Sequence, residues 1–228
     1  MSTARSWFRR SSITAPSSRL SRATSSSSPK RSPRNPRRAM PERTALLVLG
    51  LGNVLCGDDG LGAIAVHLLQ RDFRAPRQTV VLDGGTLGLS LLPLIQDAER
   101  VLMVDAIRHA GAQPGAAVRI QGDEVMPAVR ERLSVHQIGV ADLLDGARLL
   151  GCCPPNITLL GLVPQDLGLG VGLSPPVKRA MPGLVATIVA EARALGFEFV
   201  PKPYDEKSSR MDDARDVASV LGLWRAGC

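Results

Sequence analysis

Several signatures are missing from this 228-residue chain, and each absence removes a class of function. Its four cysteines, Cys56, Cys152, Cys153 and Cys228, form no C-x-x-C pair and keep no regular spacing; two are adjacent. That pattern suits neither a disulfide framework nor a zinc knuckle, and a reducing compartment is the simpler inference. No apolar run approaches the roughly 20 residues of a membrane-spanning helix. No H-E-x-x-H helix and no serine triad is visible, and no internal repeat. Acids are absent from residues 1–39, which hold ten of the 28 basic residues. The remainder therefore has 18 basic against 21 acidic residues, a formal charge of −3 despite the overall +7. A mildly acidic globular part gives nucleic-acid binding little support.

Residues 1–39 are mostly Ser, Arg and Pro and cannot bury enough apolar surface to fold. Three readings compete for them: an organelle transit peptide by composition, a basic tail, or an upstream reading frame joined to a gene that starts at Met40. The position of Met40-Pro41-Glu42 just before the first strand favours the last. The domain expectation is thus a basic segment 1–39, a folded domain 40–201 and a polar tail 202–228 holding at most one short amphipathic helix.

What the chain does contain centres on residues 45–62, ALLVLGLGNVLCGDDGLG. The continuous apolar run 45–49 reads as a strand buried on both faces of a parallel sheet. It enters a glycine-rich turn, Gly50-Leu51-Gly52-Asn53, then reaches two adjacent acids, Asp58 and Asp59, at the start of a helix. The turn is not a dinucleotide fingerprint. Leu55 stands where the third glycine of G-x-G-x-x-G belongs, and the acids would repel a pyrophosphate. They suit a cation better.

Helical spacing of Leu61, Ile64, Ala65, Leu68 and Leu69 predicts a helix over about 60–73. Short buried strands follow at 79–82, ending at Asp83, and at 101–104, ending at Asp105, with an apolar helix at 87–95 between them. A loop at 109–115 leads to a fourth strand, 116–120, and then to the connection Leu133-Ser134-Val135-His136-Gln137. A helix carrying Val140, Leu143 and Leu144, a strand at 157–163, a long glycine-rich loop at 164–174 and a helix from Pro175 to about Leu195 complete the pattern. Strands alternating with helices predict an α/β protein: a three-layer α/β/α sandwich with a mostly parallel, roughly five-stranded twisted sheet.

In such a sheet Asp58, Asp59, Asp83 and Asp105 all follow carboxyl ends of strands and should gather on one edge. His136 follows the fourth strand and can reach the same edge. Carboxylate oxygen with imidazole nitrogen is a ligand set for nickel, zinc or iron. Simpler roles compete: Asp59 as a helix N-cap, Asp83 as a turn former, His136 as a structural histidine, and His67 and His109 as solvent-facing. Asp105 is harder to dismiss, because an acid ending the run VLMV must be exposed or paired. Cys56 with His136 and Asp105 is an alternative thiol nucleophile, base and orienting acid, although the acids beside Cys56 disfavour a thiolate.

GLGNVLCGDDGLG, DGGT at 83–86, VDAI at 104–107, SVHQIGVADLL at 134–144, GLVPQ at 161–165 and GLSPPV at 172–177 together resemble the hydrogenase maturation endopeptidases. Those proteases trim the C-terminus of the large subunit of nickel–iron hydrogenases. The resemblance spans about 46–195, in register. It implies a metal-binding and catalytic trio that falls on Asp59, Asp105 and His136, with Asp59 where many members carry Glu. Cys56 and Asp58 match no ligand role. The implied partner is a large-subunit precursor with its C-terminal extension, and the implied metal is nickel supplied by that precursor. No nucleic acid or membrane partner is implied, and the expected compartment is the cytoplasm. A nickel-dependent maturation chaperone that cuts nothing is the alternative, with the Cys56 thiol protease and a nucleotide-binding α/β protein as further ones.

Overall fold

The computed structural model describes residues 43–130 and 138–203. The basic segment 1–39, the start at Met40, His136 with its flanking connection, and the tail from residue 204, where at most one short helix is expected, lie outside the described residues.

The opening apolar run forms β1 (Leu46–Leu51), buried along its whole length. A loop and a 3-10 turn at Gly57–Gly60 lead into α1 (Leu61–Asp72), followed by the two-residue β2 (Phe73–Arg74) and by β3 (Thr79–Gly85). Next come a 3-10 turn at Gly88–Leu91, α2 (Leu92–Asp97), β4 (Arg100–Ala106) and β5 (Ala117–Gln121). Then follow α3 (Val125–Arg130), α4 (Ile138–Leu149), β6 (Asn156–Leu162), α5 (Pro175–Ala194) and β7 (Val200–Pro201). The main sheet has five strands in the order β3-β1-β4-β6-β5, and β2 pairs with β7 in a separate antiparallel ribbon. The expected mostly parallel α/β/α sandwich is the fold observed.

Side-chain alternation along β1 divides the core. Leu46 and Val48 pack with residues of α1 and α5, whereas Leu47, Leu49 and Leu51 pack with residues of α2, α3 and α4. The same alternation along β4 sends Leu102 and Val104 to the first layer and Val101 and Met103 to the second. Asp105 therefore falls on the face that α4 covers.

Two local expectations change. The helix expected at 87–95 divides into a 3-10 turn and α2, with Pro93 near the start of α2, where a missing N–H costs nothing. The fourth strand runs against its neighbour: β5 is antiparallel to β6, with Ala117 opposite Leu162 and Gln121 opposite Thr158. Chain leaving β4 at the carboxyl edge has only a loop before β5, and a parallel return needs a crossover of a dozen or more residues. The end of β5 thus lies at the far edge from Asp105. The expectation that His136 reaches the acids simply by following this strand is corrected.

The order places a topological switch point between β1 and β4: the chain passes from β1 to β3 on one side and then to β4 on the other. Such a point opens a crevice at the carboxyl ends of the two strands. Glycine makes the packing there possible. A Cβ on Gly62 would meet the carbonyl oxygens of Val104 and Leu51 at 2.2 and 2.3 Å, so the start of α1 rests directly on both strand ends. Gly50, expected in the turn, extends β1 instead, pairing with Asp83 and Val104 beneath α1.

Candidate functional site

Among the described residues the buried charged groups are Asp58, Asp59 and Asp105, and all three lie at the carboxyl edge beside the switch point. Burying a carboxylate is costly unless something compensates it, so each needs an account of its partners.

Asp59 is 1% exposed. Its Oδ2 accepts a 2.8 Å hydrogen bond from the Asn53 amide, while its Oδ1 is buried with no hydrogen-bond partner. The N-cap reading fails: Gly60 occupies that place on α1, with no side-chain cap bond. Asp105 is equally buried at the end of β4, and its Oδ1 accepts a 2.7 Å bond from the Ala106 amide. Gly52 separates the two acids. At φ +108°, a Cβ on it would lie 1.8 Å from the Asp59 carbonyl oxygen and 3.6 Å from Asp105 Oδ1. Only glycine fits there, and its smallness brings the Asp59 backbone and the Asp105 carboxylate to one spot.

Asp83 shares the edge but is otherwise engaged. Its Oδ1 accepts from the Gly85 amide at 2.9 Å, bearing out the turn-forming role, and its Oδ2 lies 3.2 Å from His67 Nε2. His67 is thus half-buried and paired rather than solvent-facing. The reason is that α1 overhangs the edge strand: His67 and Gln70, one helical turn apart, both reach β3, and the Gln70 amide donates to the Val81 carbonyl. His109 is exposed, as expected.

Asp58 is fully buried and saturated. It accepts from the amides of Gln165, Asp166 and Ser174 at 2.8, 3.0 and 2.7 Å and from the Ser174 hydroxyl at 2.8 Å. It serves as a loop anchor, in keeping with the expectation that it is not a ligand, but sequence reasoning missed the anchoring role. Its partners lie 107 to 116 residues away, so no local spacing signals them. Cys56 is half-buried, with its backbone bridged to Gly170 and its amide donating to Asn53 O at 3.0 Å.

His136 lies outside the described residues, and among those described no three His, Cys, Asp or Glu side chains gather as a ligand set. Two members of the expected trio are brought to one edge. The third is represented only by the helix that follows it. α4 starts at that same edge, where a Cβ on Gly139 would meet Gly88 Cα at 3.0 Å.

The hydrogenase maturation protease family profile matches residues 64–191, more than half of the chain. The chain belongs to that family. The hydrogenase 2 maturation protease of Escherichia coli is 32% identical over 157 residues, covering 69% of this chain and 96% of that relative. The hydrogenase expression/formation protein HupD of Rhodobacter capsulatus is 40% identical over 161 residues, covering 69% and 75% respectively. Among solved structures, the hydrogenase maturating endopeptidase HybD from E. coli superposes with a TM-score of 0.66 at 32% identity, covering 69% of this chain and 98% of that one. Membership makes this chain a maturation protease by family. No helix among its described residues is long and apolar enough to cross a membrane.

Proposed function

We propose that this protein is a cytoplasmic endopeptidase that removes a C-terminal peptide from the nickel-loaded precursor of a nickel–iron hydrogenase large subunit, recognising the metal through Asp59, Asp105 and His136. The observation that carries this reading is the unpartnered Asp59 Oδ1, buried at the edge where the Asp59 backbone and the Asp105 carboxylate meet across Gly52. A buried carboxylate oxygen without a donor is unfavourable unless a cation or proton arrives there. Two carboxylates and one imidazole form an oxygen–nitrogen donor set suited to a borderline divalent ion such as nickel. Gly139, in the first turn of α4 and three residues after His136 in the chain, lies against Gly88, which supports an approach of that imidazole to the same edge.

Each acid keeps a backbone amide on one oxygen, which fixes its orientation before the client docks. Three side chains supply only part of a coordination shell, so the client's nickel can complete it with ligands from both proteins. Binding then depends on nickel insertion, and cleavage becomes a checkpoint. Held by Asp59, Asp105 and His136, the client's nickel would supply Lewis-acid chemistry, by polarising the scissile carbonyl or by lowering the pKa of a bound water. A carboxylate of the site, Asp59 or Asp105, serves as the base that takes the proton of an attacking water, and the Gly84-Gly85-Thr86 turn with Asn53 shapes the cleft.

Mass spectrometry of precursor incubated with the protein tests this. Nickel-loaded precursor should lose its C-terminal peptide while metal-free precursor keeps its mass. Equal cleavage of both would remove the metal from recognition, and no cleavage of either would favour a non-cleaving chaperone.

A further inference from the structure

The loop that carries Asp59 is tied to a second loop more than a hundred residues downstream, and the tie runs through Asp58. Beyond the four hydrogen bonds to its carboxylate, the Asp58 amide donates to Asp166 O at 2.9 Å, the Gly57 amide to Gly170 O at 2.8 Å and the Gly170 amide to Leu55 O at 2.9 Å. Segments 55–58 and 165–174 are thereby closed against each other. Charge-assisted bonds donated to a buried carboxylate are the strong kind.

The tie reaches the start of α5. Ser174 is the N-cap residue of α5, a position where a serine hydroxyl ordinarily accepts from its own helix, but Pro175 and Pro176 supply no N–H there. Here it makes no cap bond and donates to Asp58 Oδ2 instead.

Asp59 is the next residue. Its carboxylate has one hydrogen bond from Asn53, itself in the same loop, and an unpartnered oxygen. The direction of that free oxygen is therefore set by the Asn53 bond together with the backbone on either side: α1 after it, and the clamped Asp58 before it. We infer that Asp58 is a positioning residue for Asp59, fixing the carboxylate that carries the unpartnered oxygen, and that it couples the 164–174 loop to the candidate metal centre. This rests on the reading of Asp59 as a metal-recognising group.

The test compares wild type with Asp58→Ala, Asp58→Asn and Ser174→Ala in the full chain. It uses nickel-loaded precursor, melting curves, and amide hydrogen exchange at Asn53, whose N–H reports directly on the Asp59 carboxylate. Loss of a residue that orients a metal ligand costs about 10–100-fold. Asp58→Ala should lower kcat by that factor with KM changed less than about threefold, at temperatures where melting shows folded protein, and should speed exchange at Asn53 while Leu47 and Leu49 in β1 stay protected. Asp58→Asn, which keeps one acceptor oxygen, should fall between Asp58→Ala and wild type. Ser174→Ala, which keeps three of the four bonds, should shift Asn53 exchange in the same direction with a smaller loss. These two graded variants carry the test if Asp58→Ala fails to fold. Unchanged Asn53 protection with kcat lowered only in proportion to folded protein would overturn the inference and leave Asp58 a plain staple. Failure of wild type to cleave any precursor, with Asn53 still responding to the variants, would instead overturn the proposed function and leave the coupling intact.

Discussion

The two edges of the sheet invite comparison. At the amino edge, before β4 and β6, lies an open cavity of about 480 Å³ whose lining includes Arg43, Glu99, Arg100, Cys152 and Cys153. Its charges keep access to water, and Arg100 is satisfied there by Glu99 at 3.5 Å and by the Phe197 ring at 5.9 Å. The Cys152 thiol donates to Ala147 O at 3.4 Å. The carboxyl edge holds Asp58, Asp59 and Asp105, all buried. Room for a ligand favours the first edge, and a sizeable cavity is the default place to look. Electrostatic cost favours the second, because a buried carboxylate persists only where an interaction compensates it. Among the described residues, a fold that accepts three such groups at one edge and none at the other marks the chemistry by cost, not by volume.

The largest effects should come from the trio. Asp105→Ala and His136→Ala each remove an interaction worth several kcal/mol at the reacting centre, so processing should fall by about 100-fold or more. His136→Ala should melt like wild type; retained processing in a folded His136→Ala would remove the imidazole from the site. Asp59→Asn should also lose processing by about 100-fold, yet hold or raise stability by up to about 1 kcal/mol, since it replaces a buried charge lacking a partner on one oxygen. Denaturant titration alongside the mass assay reads both, and a clear loss of stability would show that the charge is already compensated in the free protein. Cys56→Ser should keep activity within about twofold; abolished cleavage would turn the reading toward a thiol nucleophile. The smallest effect belongs to the amino edge, where Cys152→Ser with Cys153→Ser should leave processing unchanged. Any sizeable loss there would break the contrast between the edges.

Legibility in the sequence followed the range of the interactions. β1 and β4 announced themselves because a strand buried on both faces needs a continuous apolar run, and Asp59 and Asp105 followed because strand order brings their ends together. The reversal of β5 was not anticipated: its orientation depends on which edge the chain re-enters, and the run 116–120 reads the same in either direction. α3 went unpredicted because Pro127 interrupts a six-residue helix held mainly by its burial of Val125, Met126 and Val129. The His67–Asp83 pair depends on α1 overhanging β3, and the Asp58 clamp on a loop far downstream. Such contacts belong to the assembled fold rather than to any window of sequence.

The central claim, that Asp59, Asp105 and His136 complete the coordination shell of the client's nickel, is tested most directly by nickel-edge X-ray absorption on nickel-loaded precursor frozen immediately after mixing with the full chain. The account predicts added oxygen and nitrogen scatterers on mixing with wild type, with the imidazole contribution missing for His136→Ala. Spectra identical with and without the protein, under conditions where the precursor is cleaved, would contradict it.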